Sequence, residues 1–548
     1  MNRGDIKVKL IVQYFRAAVR QFTGLFLISF SLSIMLTVMD ILLPWGLRKY
    51  LDCLAKENHY GILVAGIVFF AGYLLIKIFV NVRWYISLDR FGGRYMTSLS
   101  LSLEESMAGT YYSEIEKMRP EIIRNILFTD VLNVFRVIGH QIPSMIGAIA
   151  VMAACLIVSF AYNIRMTLFI FLAVAVGFFV SLCSRSILSK SAGKTNAKLK
   201  IHDAWCTQFV EMLPFIQSHN ILDYYQEHTK NNLAEFMDTA VLEDRKTLFW
   251  SGVTGGYHSF FSICLSALLA IPVAGNSVTD FVFFTMIANL VMQQAETAET
   301  MFQQMIKLHI SFIHVDELLN LPQRNGTCKM EKIEEIDFDA VDFSYPGKDH
   351  VLREISCHLK KGDIVRLTGT NGSGKSTFIK LLTGLYPPTE GEIKLNGKSI
   401  KQYTKGSLNK QILYINQDER CLNETFQKYL EVVTSKKLEE HEFKELLNRV
   451  NLEHGRFIER NGDSLSAGQR KKLFILKFML RREEASVIIL DELTAGLDLQ
   501  TTKQIYDFIN YVAREKNKII LLVDHNLGSE INFTKEFVFE EGKILEQE

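Results

Sequence analysis

One stretch of nine residues decides the fold of the C-terminal half: Gly369-Thr370-Asn371-Gly372-Ser373-Gly374-Lys375-Ser376-Thr377. It fits the pattern G-x-x-x-x-G-K-[ST], in which glycines let consecutive backbone N–H groups converge on an anion. Apolar residues at 364–367 predict a strand before it, and those at 377–382 predict a helix after it. The pattern requires this strand-to-helix context, so the stretch predicts a cradle for nucleotide phosphates.

Phosphate-binding, metal-binding and catalytic roles are predicted for four residues. Lys375 offers a charge to the β- and γ-phosphates, and the Ser376 hydroxyl is placed to hold Mg²⁺. Residues 487–490 predict a buried strand that ends in Asp491 and Glu492. Asp491 is then aimed at the Mg²⁺ shell, and Glu492 at an attacking water as general base. An apolar strand before two acidic residues is usually only structural, but its place downstream of a phosphate loop favours catalysis.

The composition divides the chain into two halves. A length of 548 residues exceeds what one core supports. The apolar fraction is 48% and the mean hydropathy is +0.11, with the excess in the first three hundred residues. The 61 basic and 60 acidic residues nearly cancel, so charge gives no argument for a nucleic-acid partner. The eight cysteines contain no C-x-x-C pair, which argues against a zinc site or disulfide framework.

Six apolar stretches in the first half predict membrane-spanning helices. A span needs about 20 mostly apolar residues. The six stretches are residues 22–43, 62–79, 142–160, 166–183, 250–274 and 281–301. The first is too long, and too closely followed by further spans, for a cleaved signal peptide. The sequence therefore predicts a polytopic membrane domain.

Loop charges predict the orientation of these spans. The connections between spans two and three and between four and five are rich in Lys and Arg, which places them in the cytoplasm under the positive-inside rule. Both termini are then cytoplasmic. Arg48, Lys49 and Lys56 between the first two spans do not follow this bias. Because both cytoplasmic connections are helix-like over about sixty residues, we expect the spans to continue into the cytosol.

The domain boundaries follow from these patterns. Pro322 ends the helical half and a short polar linker follows. We expect an α-helical transmembrane domain with six helices at residues 1–320, a linker at 321–333, and an α/β P-loop ATPase domain at 334–548.

The signature-like stretch Leu465-Ser466-Ala467-Gly468-Gln469 completes a set of motifs that resembles the ABC transporter family over essentially the whole chain. More narrowly, the chain resembles exporter-type half-transporters. The usual motif is LSGGQ, so Ala467 departs from it. A helix N-terminus with a serine hydroxyl and small neighbours is an anion site. The resemblance implies that Ser466, Gly468 and Gln469 close over the γ-phosphate held by a second subunit.

Four further positions match the family pattern residue by residue. The resemblance implies that Tyr345 stacks on adenine, although an ordinary strand aromatic is the alternative. It implies that Gln417 contacts Mg²⁺ and senses the membrane domain, and that Asp498 passes signals between two ATP sites. It also implies that His525 contacts the γ-phosphate and holds Glu492 in place. Residues 111–130 and 210–225 resemble the two intracellular loops that dock on the ATPase domains, whereas the segment at 457–463 is shorter than is usual.

The resemblance implies ATP-driven export of a peptide or amphipathic small molecule across a bacterial cytoplasmic membrane by alternating access, with ATP and Mg²⁺ as cofactors. An importer of a metal chelate and a membrane-anchored regulatory ATPase without cargo remain alternatives. One phosphate loop and one signature per chain require a second half-transporter. The near-complete motifs favour a homodimer, and Ala467 leaves a heterodimer open.

Polar residues inside the spans are candidates for the substrate pathway. Ionisable groups in a bilayer are costly and often functional. The candidates are Asp40, Lys77, Gln293, Gln294, Glu296 and Glu299. Gln293 and Glu296 are three residues apart and so share a helix face. The alternative for Asp40 and Glu299 is a solvated position near a span end.

Overall fold

The computed structural model divides the chain into two compact units. It describes residues 3–56, 60–118, 120–270, 278–345, 350–416, 419–453, 457–492, 499–515, 517–523 and 531–547. The first unit, here the membrane unit, comprises Met1–Leu103 and Ile123–Leu318. The second, here the nucleotide unit, comprises Leu319–Glu548 together with Glu104–Ile122. A short segment from the membrane half of the sequence therefore packs with the nucleotide-binding half.

Twelve α-helices precede the first strand in the described part of the chain. They are α1 Arg3–Gln21, α2 Thr23–Lys56, α3 Tyr60–Gly109, α4 Tyr112–Glu116, α5 Pro120–Asn125, α6 Val131–Phe135, α7 Ile142–Tyr162, α8 Ile164–Glu211, α9 Leu213–His219, α10 Leu222–Ala270, α11 Val278–Lys307 and α12 His309–Leu319. Two π-helical segments, Ile126–Asp130 and Arg136–Gln141, flank α6.

Each predicted span falls on a long helix, namely α2, α3, α7, α8, α10 and α11. Among the described residues, three helical segments are long and apolar enough to cross a membrane: Thr23–Leu54, Val64–Gly109 and Pro120–Tyr162. The apolar segment Ile164–Gly177 is shorter. The stretch in α11 contains two glutamines and two glutamates, Gln293, Gln294, Glu296 and Glu299, and the end of the stretch in α10 lies outside the described residues.

Three helices are longer than a membrane crossing requires. Helix α3 has 50 residues, α8 has 48 and α10 has 49. At 1.5 Å per residue these helices are about 75 Å long, more than twice the hydrocarbon thickness of a bilayer. The α7–α8 turn is tight because the Asn163 side chain caps α8 by accepting from the backbone N–H groups of Arg165 and Met166.

The nucleotide unit contains ten strands and six α-helices in its described part beyond Leu319. The strands are β1 Glu335–Phe343, β2 Leu352–Lys360, β3 Ile364–Gly369, β4 Glu390–Leu395, β5 Lys398–Ser399, β6 Ile412–Ile415, β7 Val487–Asp491, β8 Ile519–Val523, β9 Lys535–Glu540 and β10 Lys543–Gln547. The helices are α13 Lys375–Leu382, α14 Lys405–Gln411, α15 Phe426–Thr434, α16 Glu440–Arg449, α17 Ala467–Arg481 and α18 Leu499–Arg514.

Two sheets organise this unit. One has the order β2-β1-β4-β5 and is antiparallel, and the other has the order β10-β9-β3-β8-β7-β6. The second sheet is parallel except for β10. Strands β7 and β8 are buried at every residue, as expected for central parallel strands with both faces covered. The carboxyl ends of β3 and β7 therefore meet at one edge of the sheet.

Phe378 anchors the helix that follows the phosphate loop. Its ring is fully buried and stacks on Phe338 of β1, with ring centroids 4.5 Å apart. It also meets Phe539 of β9 edge-on at 5.6 Å. Helix α13 therefore packs between the two sheets. Burial of one such phenylalanine contributes about 2–3 kcal/mol, which fixes the start of α13 against the core.

Candidate nucleotide site

The phosphate loop joins the end of β3 to the start of α13, as predicted. Gly369 and Gly374 have φ of 137° and 111°, values that favour glycine. A Cβ on Gly369 would lie 2.5 Å from the Phe539 carbonyl oxygen, and one on Gly374 would lie 2.6 Å from Leu352 Cδ2. Both glycines are therefore required by the backbone conformation and by the close approach of neighbouring strands.

Lys375 is folded back over its own loop. Its Nζ donates to the carbonyl oxygens of Gly369 at 2.7 Å and Thr370 at 3.0 Å. Desolvation lowers the pKa of Lys375, while the nearby charges of Asp491 and Glu492 oppose that shift. The ammonium group therefore sits between the loop and two carboxylates, where a phosphate would add further negative charge.

One loop hydroxyl and one carboxylate offer oxygen ligands to a phosphate-bound metal. Ser376 is exposed in the first turn of α13, and Ser373 Oγ is buried with no hydrogen-bond partner among the described residues. Asp491 is buried at the end of β7, and Tyr414 Oη donates to its Oδ2 at 3.2 Å. A hydroxyl and a carboxylate are oxygen ligands of the kind that Mg²⁺ takes beside nucleotide phosphates. The residues present therefore fit nucleotide with Mg²⁺.

Glu492 is held in an uncommon backbone conformation. Its φ is 50°, which is strained for a residue with a side chain. Its N–H donates to the Val523 carbonyl of β8 at 2.7 Å, and its carbonyl oxygen accepts from Lys471 Nζ at 2.9 Å. Both backbone groups of Glu492 are thus held by neighbouring elements. Such strain, held in place by neighbouring elements, is characteristic of functional residues.

The signature-like stretch opens α17, as predicted. Ser466 is the N-cap, and its hydroxyl accepts from the Gln469 backbone N–H at 3.2 Å while Gln469 Oε1 accepts from the Ser466 backbone N–H at 3.0 Å. This reciprocal capping box stabilises the helix start. Ala467 is exposed at the first helical position, and a Cβ on Gly468 would meet nothing within 4 Å. The methyl group of Ala467 does not disturb the helix.

Tyr345 lies just after β1, next to helix α13. Its hydroxyl is 3.3 Å from Thr377 Oγ1, and Lys380 Nζ lies 5.6 Å from its ring centroid. The ring also packs edge-on against Phe343 and Tyr386. Its adenine-stacking role stays a prediction. Three further predicted residues, Gln417, Asp498 and His525, lie outside the described residues.

The sequence did not identify the supporting residues of this site. Lys471 and Tyr414 hold Glu492 and Asp491, and each is far from its partner in the sequence. Helix α4, the short helix of the predicted first intracellular loop, lies beside the turn that follows α13. There Tyr112 N–H donates to the Leu385 carbonyl at 3.0 Å. A tyrosine or lysine carries no local pattern that would mark these contacts.

The predicted substrate-pathway residues lie on the helices of the membrane unit. Asp40 of α2 accepts from Lys77 Nζ of α3 at 2.5 Å, so Asp40 is ion-paired and only 14% of its side chain is exposed. Both residues, with Gln293 and Gln294, line a cavity of about 510 Å³. Glu296 is exposed and does not line this cavity.

The basic residues that departed from the loop-charge bias have local explanations. Arg48 forms a 2.6 Å salt bridge with Asp280 of α11, and its guanidinium lies 4.8 Å from the Tyr162 ring centroid. Lys49 Nζ lies 4.0 Å from the ring centroid of Trp45. Arg48 and Lys49 therefore have structural partners, and the orientation of the spans stays a prediction.

Comparison with known families matches both halves of the chain. The model of the ABC transporter transmembrane region matches residues 26–295, and the ABC transporter model matches residues 352–495. These motifs and this fold define a membrane ATPase of two-part architecture. The chain belongs to the ABC transporter family, with a transmembrane region fused ahead of an ATP-binding ATPase domain.

Individual relatives share part of the sequence. An ATP-dependent lipid A-core flippase of Haemophilus ducreyi is 33% identical over 240 residues, which are 42% of this chain and 40% of that protein. A glutathione/L-cysteine transport system ATP-binding/permease protein CydC of Haemophilus influenzae is 28% identical over 272 residues, 45% of this chain and 46% of that protein. The chain thus matches less than half the length of these curated relatives.

A solved structure shares the fold over nearly the whole chain. A bacterial Atm1-family ABC exporter with ATP bound superposes with a TM-score of 0.83, covering 96% of this chain and 95% of that one at 16% sequence identity. This similarity shows a common fold, with a helical membrane domain followed by an α/β ATPase domain.

Proposed function

We propose that this chain is a half-transporter that couples ATP hydrolysis to export of a peptide or amphipathic small molecule across a bacterial cytoplasmic membrane. The observation that carries the proposal is the position of Glu492, whose backbone is held at the sheet edge that bears the phosphate loop. The same chain contains an ABC transmembrane region. The proposed domains are residues 1–320 for membrane crossing, 321–333 as linker and 334–548 for nucleotide binding.

The proposed chemistry assigns a task to each residue of the site. The phosphate loop and Lys375 bind the phosphates, and Glu492 accepts a proton from the attacking water. Ser376 and Asp491, with Gln417, would hold Mg²⁺, which neutralises charge on the β- and γ-phosphate oxygens when bound. His525 would keep Glu492 and water aligned, and Tyr345 would stack on adenine.

Two chains are needed in this proposal. Ser466, Gly468 and Gln469 at the start of α17 would contact the γ-phosphate on a partner subunit, and Asp498 would link the two sites. The intact Ser466–Gln469 capping box supports a working signature, because it presents the helix N-terminus in an ordered conformation. We therefore favour a homodimer, with both termini of each chain in the cytoplasm.

The cavities of the membrane unit support an amphipathic cargo. The polar cavity beside Asp40 is lined by one side of α11. A second cavity, of about 420 Å³, is lined by mainly apolar residues of α7, α8 and α11, including Met152, Phe171 and Phe302. The membrane unit therefore offers both polar and apolar surfaces to a cargo that carries both kinds of group.

Hydrolysis by the purified chain tests the core of the proposal. We expect Mg²⁺-dependent ATP hydrolysis by the dimer that is lost in Glu492→Gln. A purified chain that is dimeric, binds ATP and gains hydrolysis only when a second half-transporter is added would overturn the homodimer. Hydrolysis that persists in Glu492→Gln would overturn the assignment of the base.

A further inference from the structure

The polar cavity of the membrane unit contains a matched pair of opposite charges. Asp40 and Lys77 come from different helices, and Lys77 Nζ lies 2.5 Å from Asp40 Oδ1. Lys77 keeps 34% of its side chain exposed and Asp40 keeps 14%. Both line the cavity of about 510 Å³, together with other polar side chains: Ser33, Thr37, Asn81, Ser144, Gln293, Gln294 and Thr297.

Charge balance restricts which ligands can bind to this ion pair. A single uncompensated charge among membrane helices is costly, and removing one partner of an ion pair there leaves such a charge. A cation that binds Asp40 would release Lys77 unpaired, and an anion that binds Lys77 would release Asp40. A ligand carrying both charges can satisfy both side chains at once, so the site stays neutral before and after binding.

We infer that this cavity binds a zwitterionic cargo, with the cargo ammonium group on Asp40 and its carboxylate or other anionic group on Lys77. This inference rests on the proposed export function and specifies its substrate class. The amide side chains of Gln293, Gln294 and Asn81 each offer a donor and an acceptor to the rest of the ligand. Trp84 lines the same cavity, and its buried indole Nε1 has no acceptor among the described residues.

The size and lining of the cavity fit a small amphipathic zwitterion. A volume of about 510 Å³ is within the range of small-molecule sites. Apolar residues line it beside the polar ones, including Leu36, Leu74 and Met301. A free amino acid would fill little of this space, whereas a short peptide with one apolar side chain would use both surfaces.

The membrane unit provides a matched control. Arg48 of α2 pairs with Asp280 of α11 at 2.6 Å, and 23% of each side chain is exposed. Neither residue lines the polar cavity. This pair also joins two helices, so a variant of it tests whether loss of any interhelical ion pair has the same effect as loss of Asp40–Lys77.

The test uses the full-length chain in phosphatidylglycerol nanodiscs and measures ATP hydrolysis against peptide concentration. The probes are alanyl-phenylalanine, which carries both charges, its N-acetyl derivative, which lacks the ammonium charge, and its C-terminal amide, which lacks the carboxylate charge. We expect alanyl-phenylalanine to stimulate hydrolysis at about tenfold lower concentration than either blocked form, because each blocked form leaves one charge in the cavity unpaired.

Variants of the ion pair test whether the stimulation of hydrolysis depends on Asp40 and Lys77. Asp40→Asn and Lys77→Gln should each lose the stimulation measured relative to their own basal rates, and Asp280→Asn should keep it. The exchange Asp40→Lys with Lys77→Asp should restore the preference for the zwitterion, which also shows that the helices still pack. Stimulation of equal strength by all three probes, or stimulation unchanged in Asp40→Asn, would overturn the inference.

Lipid is a second source of the same chemistry. A phosphatidylethanolamine headgroup carries an ammonium and an anionic phosphate. If the dipeptide has no effect but added phosphatidylethanolamine raises hydrolysis through Asp40 and Lys77, the zwitterion is a lipid headgroup. If neither source acts while Glu492→Gln still abolishes basal hydrolysis, the substrate class is wrong and the proposed ATPase stands.

Discussion

The hydroxyl of Tyr386 donates a 2.5 Å hydrogen bond to Glu116 across 270 positions of sequence. Burial raises the pKa of the Tyr386 phenol above its usual range, and the hydrogen bond to Glu116 raises it further. The Tyr386 ring meets Tyr345 edge-on at 5.7 Å, and Tyr345 in turn approaches Thr377 of the phosphate loop. Tyr386 therefore joins the short helix α4 to the nucleotide site within one compact unit.

Removing this hydroxyl should loosen α4. Tyr386→Phe keeps the ring but deletes a hydrogen bond to a charged group, which contributes about 1.5–3 kcal/mol. We expect faster hydrogen exchange of the backbone amides at residues 112–116. Tyr403→Phe is the control, because the Tyr403 hydroxyl donates to the Leu395 carbonyl at 3.0 Å elsewhere in the unit. Unchanged protection of 112–116 in Tyr386→Phe would show that this bond does not hold α4.

Glu492→Gln should keep ATP binding and lose hydrolysis. The amide preserves the size of the side chain and the strained backbone but cannot accept the proton of water, and loss of a general base lowers the rate by about 10²–10⁴-fold. Nucleotide affinity and single-turnover hydrolysis measured on one preparation separate the two effects. Near-normal turnover would remove Glu492 from this role.

Lys471 should act as a positioning residue for Glu492. Its Nζ holds the Glu492 carbonyl oxygen, so Lys471→Met should lower kcat about tenfold while the KM for ATP changes little. The neighbouring Lys472→Met is a matched control, because Lys472 donates to the Asn451 carbonyl instead. Equal kcat in the two variants, or a rise in KM for Lys471→Met, would contradict this role.

ATP binding should depend on pH through Lys375. Because desolvation lowers the pKa of Lys375, this side chain loses its charge at a lower pH than an ordinary lysine. Phosphates stabilise the charged form, so ATP affinity should fall as pH rises and binding at alkaline pH should take up protons. Titration calorimetry in two buffers of different ionisation enthalpy measures this uptake. Affinity and proton uptake that stay constant from neutral to alkaline pH would contradict the expectation.

Local patterns explain which features the sequence predicted. The phosphate loop, the Asp491–Glu492 strand end and the Ser466 cap each lie within a few consecutive residues, where glycine placement, apolar runs and capping chemistry are visible. The pairs Tyr386–Glu116, Lys471–Glu492 and Lys77–Asp40 depend on how distant elements pack. Their residue types are common on surfaces, so only the tertiary fold identifies them.

The central claim, ATP-driven export, is tested most directly in inside-out membrane vesicles that contain this chain. With ATP added outside, an amphipathic peptide should accumulate in the vesicles, and accumulation should be absent in vesicles that contain Glu492→Gln. Accumulation only in right-side-out vesicles loaded with ATP would show import. ATP hydrolysis without movement of any tested amphipathic peptide or small molecule would contradict a transport function and favour a regulatory ATPase.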